Sequence, residues 1–178
     1  MSMRRTDGDD CRAEKGRDRG MSGENIKAAF FDIDGTLAAV KSHAIPDSTR
    51  EAIRKLREKG ICCILSTGRH PLEVEEENIL PGLVFDGGVW VTGQYCELHG
   101  ECILQNCFTA GQLVILREFL ERRGRSCIFL EKDAMYCNLV DDRIRKEQES
   151  IGTAVPPVRD IADLEERRVL QTMPFIDE

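Results

Sequence analysis

Phe30-Phe31-Asp32-Ile33-Asp34-Gly35-Thr36-Leu37 is the stretch on which the fold turns. An apolar run leads into two carboxylates one residue apart and then into Gly-Thr. Residues 27–34 read as a parallel strand buried on both faces, because such strands are near-continuous apolar runs rather than alternating ones. Asp32 and Asp34 then stand at its carboxyl end, where open α/β sheets bind ligands. Gly35 lets the chain leave the strand in a conformation costly for other residues. The Thr36 hydroxyl can fix that turn.

Downstream, Ser48 with Glu51 makes a capping box, and Ala52, Ile53 and Leu56 give the following helix a buried face. Gly60 closes that helix. Residues 61–65 form a second all-apolar strand ending in Ser66-Thr67-Gly68-Arg69. Pro71 suits the first turn of a Glu-rich helix reaching about Leu80. Leu83-Val84-Phe85 is a short third strand, followed by Asp86-Gly87-Gly88. The order β-α-β-α-β with short turns predicts an α/β fold, a Rossmann-like doubly wound parallel sheet, over residues 25–88.

The texture changes after Gly88. Residues 95–98 and 101–104 flank His99-Gly100, a hairpin signal. Thr109 caps a helix carrying Leu113, Leu116, Phe119 and Leu120, which stops at Gly124. Strands over 126–130 and 134–140, a charged helix near 141–149, a short helix from Asp160 and a last apolar stretch over 169–176 complete an α+β unit. The spacing predicts a second domain over 89–178. His99 reads as a surface turn residue, and Trp90 as packing where the two domains meet.

Residues 1–24 offer almost nothing to bury and are expected to be disordered. Met21-Ser22-Gly23 stands just before the first folded element, so Met21 competes with Met1 as the natural start. The net charge of −7 gives no general attraction to nucleic acid or to an anionic membrane surface. No stretch reaches the roughly 20 apolar residues that span a bilayer. None of the eight cysteines forms a C-x-x-C pair. Cys62, Cys63, Cys127 and Cys137 sit in apolar runs, where cysteine behaves as a small hydrophobe. That usage fits a reducing cytoplasm, the expected location.

The paired aspartates define the chemistry to look for. A carboxylate attacking a phosphate dianion meets charge repulsion, so a divalent metal must screen both partners, and hard oxygen ligands favour Mg²⁺. Asp32 is the candidate nucleophile and Asp34 the candidate acid/base. Both are candidate metal ligands. A calcium loop is excluded, since Leu37 and Ala38 stand where further oxygen ligands would be needed. Thr67 can donate its hydroxyl to phosphoryl oxygens, and the N–H groups around Gly68 can add more. Arg69 can pair with substrate or with a core carboxylate. Gly35, Thr36, Thr67, Gly68 and Arg69 are thus the candidate phosphate contacts.

The pairing of FFDIDGTL with ILSTGR, then a short strand and a glycine pair before an α+β unit, resembles the Cof-type branch of the haloacid dehalogenase superfamily. The resemblance covers residues 25–178 and implies a type IIB cap domain inserted in the core. It implies Mg²⁺-dependent hydrolysis of a small phosphorylated metabolite, such as a sugar phosphate, through an aspartyl-phosphate. It places the nucleophile at Asp32, the acid/base and a metal-binding backbone carbonyl at Asp34, and the phosphate-binding hydroxyl at Thr67. Many relatives carry Asn-Gly after the third strand, where this chain is read as Asp86-Gly87.

The family completes its site with a lysine and an acidic pair on later core strands. Neither is found before Glu178, so a fragment of a phosphatase is expected. Asp141-Asp142 reads as the start of a helix, where the dipole alone accounts for aspartates. Two alternatives stay open: a non-catalytic module that pairs through an open sheet edge, and a phosphomutase.

Overall fold

The computed structural model describes residues 26–39 and 44–176. The expected disordered tail, Cys11 and the Met21 start lie outside the described residues. Two sheets organise the rest. The first has five strands and the second three.

In the first sheet, β1 (Ala28–Phe31), β2 (Cys62–Ser66) and β3 (Gly87–Trp90) are parallel neighbours. Helices α1 (Asp47–Glu58) and α2 (Pro71–Glu76) lie in the connections between them. The antiparallel hairpin of β4 (Tyr95–Leu98) and β5 (Glu101–Gln105) extends the same sheet from β3. This parallel α/β core was the predicted class. β1 sits at the sheet edge, and Phe30 is 61% exposed, so the strand expected to be buried on both faces is open on one.

Three local expectations need correction. Helix α1 follows Pro46 with no side-chain cap, and Glu51 pairs with Arg54 and Lys55 instead of closing a box with Ser48. Ile53 is buried, Leu56 is half-buried and Ala52 is exposed. Residues 83–85 are not a strand, and Gly87-Gly88 are not a turn. The third strand begins at Gly87, so the domain boundary expected after Gly88 falls inside β3, and the sheet runs on to Gln105.

The glycines are there for contact. A Cβ on Gly87 would sit 2.2 Å from the Glu97 carbonyl oxygen, and one on Gly88 would sit 2.2 Å from the Trp90 ring. Trp90 is buried and donates its indole N–H to Glu97 Oε1 at 3.1 Å, a packing role as expected. His99, exposed with φ 52°, and Gly100, φ 80°, make the hairpin turn. Adjacent positive φ values suit the tight turns that join twisted strands.

The second sheet joins β6 (Cys127–Glu131), β7 (Ala134–Cys137) and β8 (Val169–Pro174), all antiparallel. Alternation divides its side chains between two cores. Phe129, Tyr136 and Val169 pack with Leu113 and Leu120 of α3 (Ala110–Arg123) and with Leu164. Ile128, Leu130, Cys137 and Leu170 join the cluster that contains Ile33, Leu37 and Leu65 of the first sheet. Thr109 caps α3 in a reciprocal box with Gln112, and Gly124 ends it in the left-handed conformation, both as the sequence predicts.

Asp141 is the N-cap of α4 (Asp142–Ile151) and accepts from the Arg143 and Ile144 N–H groups. Burial opposes its ionisation, but the Ile144 N–H, the Ser126 hydroxyl and Arg143 outweigh it and hold the carboxyl below its ordinary value. A depressed carboxyl stabilises the fold above its unfolded pKa and loses that contribution as pH falls through the folded one. Asp141→Ala is therefore expected to cost about 1 kcal/mol at neutral pH. Urea titrations should show the gap between variant and wild type closing in acid, below about pH 3 to 4. A gap that persists there would contradict the capping role.

Candidate active site

The parallel register of β1 and β2, Phe31 opposite Leu65, brings the residues after both strands to one end of the sheet. Asp32 emerges there, exposed. Ile33 turns inward and is fully buried, and Leu37 is 2% exposed, so an apolar anchor lies on each side of Asp34. The intervening turn is tight. Gly35, φ 81°, donates to the Ala38 carbonyl at 2.8 Å, and the N–H groups of Thr36, Leu37 and Ala38 converge on the Ile33 carbonyl. The backbone donors of Gly35 and Thr36, candidate phosphate contacts, are thus occupied within the turn. The Thr36 hydroxyl remains on an exposed residue.

Thr67 stands one residue beyond β2 and is 7% exposed. Its Oγ1 accepts from the Arg69 N–H at 3.1 Å. With one lone pair so engaged, the hydroxyl proton is left to donate elsewhere, as a phosphate contact requires. The Arg69 guanidinium forks onto Asp34, with Nε and Nη2 each 2.8 Å from a carboxylate oxygen, and lies 3.8 Å from Glu77. The Asp34 hydrogen bonds outweigh burial and push the guanidinium pKa up, so its charge is fixed. Of the two partners open to Arg69 in the sequence, the structure places it on the carboxylate.

Asp86 lies at the other end of the sheet. Its carboxylate accepts from the Cys63 N–H at 2.8 Å and from Arg57 at 2.9 Å, and its carbonyl accepts from the His99 N–H. It ties the amino ends of the strands together and is far along β3 from Asp32. The residues that do leave the carboxyl end of β3 are Val91, Thr92 and Gly93, all with positive φ. The Thr92 N–H donates to the Thr67 carbonyl at 3.3 Å, and a Cβ on Gly68 would come within 3.7 Å of Thr92 Oγ1. Sequence reading missed Thr92. Its signal was the run of apolar residues through Val91, which carries the strand past the glycine pair.

A cleft of ≈ 310 Å³ separates this end of the first sheet from the second, with Asp34, Gly68 and Arg69 on the near side. Asp32 itself is not part of that lining. The buried His70 bridges the two sheets. Its Nδ1 accepts from the Leu72 N–H at 3.2 Å, which leaves Nε2 to donate to the Glu131 carbonyl at 2.5 Å. Neither His70 nor this contact was singled out in the sequence.

Among the described residues no three His, Cys, Asp or Glu side chains converge to hold a metal ion. The described cysteines are all free thiols, and burial pushes Cys127 up to about 12, which leaves it a hydrophobe in practice. No described helix is long and apolar enough to cross a membrane.

A family model described as haloacid dehalogenase-like hydrolase matches residues 29–178. HMP-PP phosphatase of Escherichia coli is 36% identical over 73 residues, covering 41% of this chain and 25% of that protein. A crystal structure of a hypothetical protein from Geobacillus kaustophilus aligns with a TM-score of 0.73 at 29% identity, over 84% of this chain and 57% of that one. The HAD subclass IIB sugar phosphatase BT4131 aligns with a TM-score of 0.64 at 30% identity, over 84% of this chain and 58% of that one. The match thus spans a quarter of HMP-PP phosphatase and under three-fifths of either solved structure.

Proposed function

We propose a function from one premise: the chain belongs to the haloacid dehalogenase-like hydrolase family, whose model matches residues 29–178. The reading is hydrolysis of a small phosphate monoester through an aspartyl-phosphate. The first sheet is the catalytic core, and the second sheet with its helices is the cap over it. The observation that carries the proposal is the convergence of Asp32, Asp34 and Thr67 at the carboxyl ends of adjacent parallel strands.

In the first step an Asp32 carboxylate oxygen bonds to phosphorus, the ester P–O bond breaks, and Asp34 gives its proton to the departing oxygen. In the second, Asp34 takes a proton from water, whose oxygen bonds to phosphorus and displaces Asp32. The Thr67 hydroxyl and the backbone around Gly68 bind the phosphoryl oxygens as charge builds on them. Arg69 forks onto the ionised form of Asp34. That contact orients the carboxylate as a base, and it has to loosen when Asp34 acts as an acid.

Mg²⁺ is the cofactor this chemistry calls for. The Asp32 carboxylate and Asp34 carbonyl are hard oxygen donors of the right kind, and waters and substrate phosphate would supply the other donors. Among the described residues no group of three acidic, His or Cys side chains adds to them. When bound, the ion would screen the repulsion between carboxylate and phosphate dianion. The Arg69 fork, which occupies the Asp34 carboxylate, favours a second reading, a non-catalytic module without turnover.

Phosphate release from an aryl phosphate in Mg²⁺ separates the two readings. Thr67→Val is expected to lower the rate by about 10². Valine keeps the shape but leaves the Arg69 N–H without its acceptor, so a loss of about 1 kcal/mol in stability is expected alongside. Release that is zero in the wild type would sink the hydrolytic reading, and release unchanged by Thr67→Val would remove Thr67 from the site.

A further inference from the structure

We propose that the cleft between the two sheets selects phosphate monoesters whose leaving group carries an apolar face, such as an aromatic ring, over hexose phosphates. The inference rests on the phosphate-ester reading above and names its substrate class.

The second sheet turns one face toward Asp34. Along β6, Ile128 and Leu130 alternate with Cys127 and Phe129, which point into the α3 side. Register places Met173 opposite Ile128, and Met135 opposite Leu130. These four side chains lie on one face of the sheet in two adjacent rows. Ile128 and Leu130 are buried and form the floor of the cleft, while the half-buried Met135, Met173 and Phe175 offer it their open apolar surface. Ile151, at the end of α4, lines it as well and is 53% exposed. Apolar surface left open in a cleft beside a reactive group marks what the cleft is shaped to cover. The two methionines are unbranched and polarizable, suited to close on a flat ring.

Most polar side chains in the lining are already engaged: Asp34 with Arg69, and Glu73 with the His70 N–H, which leaves Glu147 on the rim. Gln148 is 5% exposed and already accepts from the Thr153 hydroxyl at 2.5 Å. Gln171, opposite Leu130, is the remaining amide in the lining. A hexose would bring several hydroxyls against aliphatic and thioether groups, and each hydroxyl stripped of water without a partner is a loss. An aromatic leaving group loses nothing of that kind and buries area against Met135, Met173 and Phe175.

The test is calorimetric titration of the full chain carrying Asp32→Asn, in Mg²⁺, so that no ester is consumed. The probes are naphthyl phosphate, glucose 6-phosphate and inorganic phosphate. Naphthyl phosphate is expected to bind about tenfold tighter than the other two. Met173→Gln and Met135→Gln conserve volume and lie on half-buried residues. Each should cut the naphthyl affinity about fivefold and leave inorganic phosphate unmoved, while Met173→Leu keeps the preference. Equal binding of glucose 6-phosphate, or an aryl preference that survives both glutamines, overturns the inference while phosphate binding itself stands. If inorganic phosphate binds neither the Asp32→Asn chain nor the wild type, the phosphate-ester reading falls with it.

Discussion

Asparagine at position 32 is expected to bring aryl phosphate hydrolysis in Mg²⁺ down to background, a loss on the order of a thousandfold or more. The amide keeps the shape of the side chain and removes the nucleophile. Asp32 is exposed just beyond the end of β1, and asparagine keeps its shape, so thermal unfolding should shift little. The two readouts together are diagnostic. A variant that melts like the wild type yet releases no phosphate assigns the first bond-forming step to this carboxylate. Residual hydrolysis within tenfold of wild type would move the nucleophile elsewhere. Asp34→Asn should behave differently, because its carboxylate is also the partner of Arg69, and its loss leaves that guanidinium without its fork.

Gly87→Ala should cause the largest loss of stability. The added Cβ would lie 2.2 Å from the Glu97 carbonyl oxygen and 2.9 Å from the Leu98 Cα. Both are backbone atoms of β4, so no side chain can rotate away. Relief requires β3 and β4 to part, which breaks the antiparallel pairing that holds the β4–β5 hairpin to the sheet. The cost is expected to be about 3 kcal/mol or more, at the upper end for overpacking. Chemical denaturation of the purified variant measures it. A loss under about 1 kcal/mol would mean that the close approach of the strands is not required. Gly60→Ala is the matched control: there a Cβ meets nothing within 4 Å, and only its φ of 71° opposes alanine.

Local signals in the sequence were read well where chemistry and backbone agree. The octet at residues 30–37 is such a case, since an apolar strand, two carboxylates, a left-handed glycine and a buried Leu37 all serve one turn. The α3 helix is another, with its Thr109 box and Gly124 stop. The glycine pair at 87–88 misled because glycine ends strands at turns and also permits close packing inside them. Only the partner decides which. The Ser48 and Glu51 spacing misled because the helix begins at Asp47 after Pro46, which puts Ser48 inside the first turn and not at the cap.

Hydrophobic patterning and short motifs were enough to set the class of the fold and to nominate the candidate residues of the reacting centre. Asp32, Asp34 and Thr67 belong to short contiguous motifs, and their position at strand ends follows from hydrophobic patterning alone. The tertiary structure decided what surrounds them. It gave Arg69 to Asp34, sent Asp86 to the far end of the sheet, brought Thr92 against Thr67, and set the apolar face of Ile128, Leu130, Met135 and Met173 toward the cleft. Those relations join residues tens of positions apart, and strand register fixes them. Register depends on how both faces of a sheet are buried, which no single segment encodes.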